Sequence, residues 1–147
     1  MKAVILAGGL GSRISEETHL KPKPMIEIGG KPIIWHIMKR YSVYGIKEFV
    51  ICSGYMSHVI EAYFKEKIED WEVKVIDTGK NTMTGGRLKR IEKHIENETF
   101  CFTYGDSLNN ANISDIIKFH KDKGKFATIT ACHPPEKYGI LKLENNM

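Results

Sequence analysis

Apolar runs of strand length alternate with segments of helical period along almost the whole chain, and few folds accept that pattern. Lys2–Leu6 is apolar after its first residue, and Glu48–Cys52, Glu72–Ile76 and Thr99–Tyr104 repeat the strand-like run. Between them lie helical spacings. Pro32 opens one with Ile33, Ile34, Ile37, Met38 and Tyr41, stopped by Gly45. Ser57 is placed to cap a second carrying Ile60, Tyr63, Phe64 and Ile68, and Leu88, Ile91 and Ile95 mark a third. Asn112 or Ser114 caps a fourth with Ile116, Ile117 and Phe119, ended by Gly124. A fifth strand over Phe126–Cys132 and a sixth over Gly139–Leu143 complete the expected order. Strands apolar on both faces, each followed by a helix, predict an α/β fold: a mainly parallel sheet with helices on both faces, a Rossmann-like three-layer sandwich.

Such sheets bind ligands beyond the carboxyl ends of their strands. Glycines and charges gather there: Gly8-Gly9-Leu10-Gly11, Ser53-Gly54, Asp77-Thr78-Gly79 and Gly105-Asp106. The formal net charge is only +4, and Lys21, Lys23, Arg87, Lys89 and Arg90 flank glycine-rich turns while other charges are scattered. That distribution suits a small phosphate-bearing ligand and argues against nucleic acid. No run approaches the roughly 20 apolar residues that span a bilayer, and the first strand leads into glycines without a signal-peptide cleavage site. A cytoplasmic protein with no membrane partner is expected. Three cysteines, Cys52, Cys101 and Cys132, sit singly in apolar runs and are expected as buried free thiols on strands. The six histidines are scattered, so a zinc site is not indicated.

The first loop is the most informative stretch. Leu6-Ala7-Gly8-Gly9-Leu10-Gly11-Ser12-Arg13 lacks the third glycine of a dinucleotide fingerprint and the Gly-Lys-Ser/Thr of a P-loop. What remains is a glycine loop whose amides can approach phosphates, followed by a cation. Leu20-Lys21-Pro22-Lys23-Pro24-Met25 follows, and alternating prolines stiffen it. Stiffened in this way, Lys21 and Lys23 are expected to project to one side, around an anion.

Together these two stretches resemble the signature of the sugar-1-phosphate nucleotidyltransferases. Ser15-Glu16-Glu17-Thr18, Gly30 to Met38, Asp77-Thr78-Gly79, Thr84 to Arg90 and Phe102 to Asp106 are similar to its glucose-1-phosphate cytidylyltransferase branch. The resemblance runs in order over nearly the whole chain. It implies the nucleotide-diphospho-sugar transferase type of fold and transfer of CMP from CTP to a sugar 1-phosphate, glucose 1-phosphate in this branch. The products would be CDP-glucose and pyrophosphate, with Mg²⁺ as cofactor, in the nucleotide-sugar chemistry that feeds O-antigen and lipopolysaccharide biosynthesis. Such catalysis is alignment and charge neutralisation, so no covalent nucleophile is required.

By the same resemblance Arg13 meets the β- and γ-phosphates and Lys23 the α-phosphate as the catalytic cations. Leu6, Ala7, Gly8, Gly9, Leu10, Gly11 and Ser12 form the nucleotide loop, and Gly105 lies beside it. Thr82 and Arg87 are assigned to the pyrimidine edge, and Asp106 to the metal. Three departures stand out. Ser12 replaces the usual threonine and Ser107 the usual glycine, and the link between Phe64 and Trp71 is shorter than the family's. The family also continues beyond the counterpart of Met147 into its acceptor-sugar part. Residues 1–147 are therefore expected as the nucleotide-binding part of one nucleotidyltransferase domain. A truncated nucleotide-binding paralogue with little turnover is the alternative, and the family allows a homo-oligomer.

Overall fold

The computed structural model describes residues 1–9, 21–66 and 68–132. They belong to two compact units, Met1–Asn110 and Ala111–Met147. The first unit carries the sheet. Its strands are β1 (Lys2–Leu6), β4 (Glu48–Ser53), β5 (Glu72–Asp77) and β6 (Cys101–Tyr104), in the order β5-β4-β1-β6. Every pairing among them is parallel. β1 lies at the centre because it can be buried on both faces: Ala3, Val4 and Ile5 have no exposed surface.

The register sets which side chains share a face. Val4 lies beside Val50 and Leu6 beside Cys52, and this face packs on Ile91 and Ile95. Those two residues belong to or adjoin the short helices α3 (Thr84–Arg90) and α4 (Glu92–Ile95). On the opposite face the Phe49 ring lies 5.6 Å from Trp71, which lies 6.1 Å from Trp35 of α1 (Ile33–Val43). Helices therefore cover both faces, as the sequence predicts. α1 buries Ile34, Ile37 and Met38, an i, i+3, i+4 stripe. Gly45 ends it at φ +82°, with its N–H on the Ser42 carbonyl. Burying each such side chain contributes about 1.5–3 kcal/mol.

Local details differ from the sequence reading. Glu27–Ile28 (β2) and Lys31–Pro32 (β3) form a small antiparallel hairpin through Gly29 and Gly30, so Pro32 is the residue before α1 rather than its first turn. α2 (Ser57–Phe64) is preceded by Met56 in a left-handed conformation, and Ser57 begins the helix instead of capping it. The helix also stops short of Ile68. The third helix breaks at Ile91.

In the second unit, α5 (Ile113–Lys123) is capped by Asn112, whose Oδ1 accepts the Ser114 and Asp115 N–H groups at 3.0 and 3.3 Å. Gly124 closes it, as expected. Phe126–Cys132 is not a strand: these residues have no ladder partner among the described residues, and Phe126 and Ile129 are exposed. A β-propensity run without a neighbour has nothing to bond. The expected strand at 139–143 lies outside the described residues. Cys52 is buried on β4, but Cys101 is half-buried and Cys132 exposed, which corrects the expectation of three buried thiols. Among the described residues no helix is long and apolar enough to cross a membrane.

Candidate functional site

Chain direction alone locates the site. β1 is followed by β4 and β5 on one side, and the chain then returns to place β6 on its other side, so the strand order reverses between β1 and β6. A crevice opens beyond the carboxyl ends at such a switch point. The segments that reach it are Ala7–Gly9, Ser53–Gly54, Thr78–Gly79 and Gly105–Asp106.

Arg87 binds three of these segments together. Its Nη1 donates to the Ser53 carbonyl at 2.8 Å and to Thr78 Oγ1 at 2.7 Å. Nη2 donates to the Gly8 carbonyl at 2.9 Å and, more weakly, to the Lys80 carbonyl at 3.4 Å. The side chain is 5% exposed, and burial lowers its affinity for the proton while it remains a cation. Gly8 leaves room for this arginine: a Cβ there would stand 2.0 Å from Arg87 Nη1. Arg90 adds a bond from Nη1 to the Thr78 carbonyl at 2.7 Å. Thr82, assigned by resemblance to the base, is half-buried at the turn into α3 with its N–H towards the Gly79 carbonyl.

A second construction stands at the β1–β6 side. Gly105 N–H donates to the Leu6 carbonyl at 2.8 Å. A Cβ on Gly105 would meet that carbonyl at 2.9 Å and Pro24 Cγ at 3.0 Å. Pro24 and Met25 are buried in the 3₁₀ turn Lys23–Met25. This packing carries Lys23 across 83 positions of sequence to Asp106, and the ammonium and carboxylate form an ion pair. The two are 28% and 32% exposed, so solvent reaches both.

Lys21 is elsewhere. Its Nζ pairs with Glu27 at 2.7 Å and holds that carboxyl below the usual range. The expectation that Lys21 and Lys23 face one anion is therefore corrected, because the 3₁₀ turn gives each lysine its own carboxylate. Leu10, Gly11, Ser12 and Arg13 lie outside the described residues.

Sequence reasoning placed Ser53 and Thr78 at the ligand end of the sheet but not as supports of it. Ser53 and Thr78 have no exposed surface. The Ser53 carbonyl accepts from Thr78 N, Thr78 Oγ1 and Arg87. The signal available was a hydroxyl residue immediately before a glycine at two successive strand ends. Tyr55 and Lys80 were also missed; the Lys80 Nζ lies 5.7 Å from the Tyr55 ring centroid, joining the loops after β4 and β5. A cavity of about 210 Å³ lined by Phe64, Ile68, Trp71 and Val73 together with the charged Lys65, Glu66 and Glu69 lies at the amino end of β5, remote from this chemistry.

The sequence pattern of the nucleotidyl transferase family matches residues 2–147. The chain belongs to that family. Two curated members are similar to it throughout. Glucose-1-phosphate cytidylyltransferase of Salmonella typhi is 50% identical over 167 positions, covering 98% of this chain and 65% of the relative. A probable glucose-1-phosphate cytidylyltransferase of Bacillus subtilis strain 168 is 40% identical, covering all of this chain and 66% of the relative. This nucleotidyl transferase chain thus spans about 65% of the length of the curated relatives it matches. The 167 aligned positions exceed its 147 residues, so the Salmonella protein also has internal residues that this chain lacks. Among solved structures, HddC from Yersinia pseudotuberculosis superimposes with a TM-score of 0.70 at 30% identity, over 82% of this chain and 54% of that one.

Mg²⁺ fits the donors present. Among the described residues no three His, Cys, Asp or Glu side chains converge. A single carboxylate supplemented by substrate phosphates is the usual arrangement for Mg²⁺, and Asp106 already stands at a cation-holding position.

Proposed function

We propose that the chain is the nucleotide-binding part of an enzyme that transfers CMP from CTP to glucose 1-phosphate, giving CDP-glucose and pyrophosphate. The observation that carries this reading is the Lys23–Asp106 pair beside Gly105, one strand from the Gly8-Gly9 turn. A solvent-accessible cation and a metal-capable carboxylate meet where a parallel sheet of this order binds its ligand. The names of the two curated relatives support the choice of nucleotide and acceptor.

In this reading Gly8 and Gly9 offer the approach to the phosphates, with Leu6 and Ala7 behind them. Lys23 neutralises charge on the α-phosphate as the sugar phosphate oxygen attacks phosphorus and the bond to pyrophosphate breaks. Asp106 holds Mg²⁺, which supplies charge neutralisation on the triphosphate when bound. Arg13 meets the outer phosphates. Thr82 faces the base, while Arg87 acts beneath it by fixing the Gly8 carbonyl and adding buried positive charge to the crevice. CTP is a cytoplasmic metabolite, so the reading places the protein in the cytoplasm.

Calorimetry with CTP, ATP and GTP in Mg²⁺ tests it. CTP is expected to bind most tightly, and equal affinities for all three would remove the cytidine assignment. Following CDP-glucose formation on the same sample separates turnover from binding alone.

A further inference from the structure

We propose that Lys23 is the resident cation of Asp106, so that the ammonium and a divalent ion exchange at one carboxylate. The inference rests on the reading of Asp106 as the metal ligand. It adds that Asp106 is a positioning residue for Lys23, with a partner that changes as ligands arrive.

The geometry is built rather than incidental. Lys23 and Asp106 are 83 positions apart. Buried Pro24 sets the backbone of one beside Gly105, which precedes the other. Gly105 can approach because it has no side chain to strike the Leu6 carbonyl or Pro24. Each partner keeps more than a quarter of its side-chain surface in solvent. A pair of that exposure opens readily, since such pairs hold their partners by no more than about fivefold. It is strong enough to bias the site and weak enough to exchange.

Charge then couples the two ligands. A divalent ion approaching Asp106 meets a carboxylate already bonded to an ammonium, and that ammonium repels the incoming ion. It binds by displacing Lys23, which leaves Lys23 without a counter-ion at the mouth of the crevice. A triphosphate supplies that counter-ion. Conversely, a triphosphate that draws Lys23 away bares Asp106 for the metal. Each ligand prepares the site for the other, and linkage makes the effect reciprocal. The ion pair also neutralises the site at rest, so neither a lone anion nor a lone dication finds its full partner.

This predicts that removing either residue improves binding of the other's ligand. Lys23→Met should bind Mn²⁺ alone about two- to fivefold more tightly than the wild type, read by electron paramagnetic resonance of free Mn²⁺. Asp106→Asn should bind inorganic tripolyphosphate, in EDTA, about two- to fivefold more tightly, read by calorimetry. Lys23→Arg keeps a cation on Asp106 and should show no gain for Mn²⁺. A structural loss weakens both ligands, so a tightening in each variant supports exchange. If Asp106→Asn loses Mn²⁺ but Lys23→Met gains none, the exchange is wrong while the metal assignment stands. Should wild type and Asp106→Asn take up Mn²⁺ equally, the metal assignment itself falls, and the exchange with it.

Discussion

Gly8 and Arg87 are one structural decision made by two residues 79 positions apart. The sequence shows a glycine in a glycine-rich turn, which invites a phosphate explanation, and an arginine in a basic run, which invites a ligand. Only the folded arrangement shows that the glycine also makes room for the buried guanidinium. Gly8→Ala is therefore expected to destabilise the protein by about 1–3 kcal/mol, as overpacked sites do, measured by urea unfolding. A change below about 0.5 kcal/mol would show that Arg87 moves aside freely. Cys52 gives a residue-scale test of burial. Its thiol is pushed up from an ordinary value of 9.0 to about 11, chiefly by burial, with Arg87 opposing. Well below pH 9 it is protonated in both folded and unfolded chains, and its contribution is complete. As pH rises towards 11 the unfolded thiol ionises first, so stability falls across that window. Cys52→Ala should flatten this part of the alkaline decline, and alkylation should reach exposed Cys132 long before Cys52. An unchanged alkaline slope in Cys52→Ala would remove the thiol from the explanation.

At the scale of elements, legibility followed the hydrophobic pattern. β1, β4 and β5 occupy predicted runs, and α1 carries its stripe where the spacing puts it, because one strong hydrophobic pattern decides each. Where the pattern was weaker, neighbours decided. Phe126–Cys132 has the composition of a strand without a partner among the described residues, and the β2–β3 hairpin rests on two positive-φ glycines rather than on any apolar run. The start of α2 was misread for a different reason. Tyr55–Met56 turns sharply after Gly54, and Met56 takes φ 51°, a conformation that sequence periodicity does not encode. Left-handed backbone costs a non-glycine residue about 1–2 kcal/mol, against the lesser entropy cost of glycine. Met56→Gly is therefore expected to raise stability by about 0.5–1 kcal/mol in urea unfolding. A loss of stability would mean that contacts of the methionine side chain outweigh the backbone strain.

For the molecule as a whole, strand order supplies what no single motif could. The glycine loop and the Lys-Pro-Lys-Pro segment suggest phosphate chemistry, but the meeting of Lys23 with Asp106 depends on β6 pairing with β1 on the side away from β4. Alternating elements announce a parallel sheet without fixing that order, so the site was legible as residues and illegible as a place. The order now makes a spatial prediction. Hydrogen exchange on adding CTP and Mg²⁺ should slow at the carboxyl ends of the strands: Ala7–Gly9, Ser53–Tyr55, Thr78–Lys80 and Gly105–Asp106. The amino ends, at Lys2, Glu48, Glu72 and Cys101, should show only the global effect of linkage, about 2.7 kcal/mol when free ligand is a hundred times its Kd. That distinction matters because the cavity beside Trp71 is at the amino end of β5 and is lined by side chains that could also take a small molecule. Local protection centred on Phe64–Val73, with none at Gly8 or Asp106, would move the ligand to that cavity and overturn the site. Protection at the four carboxyl ends places it over the switch point, beside Lys23 and Asp106.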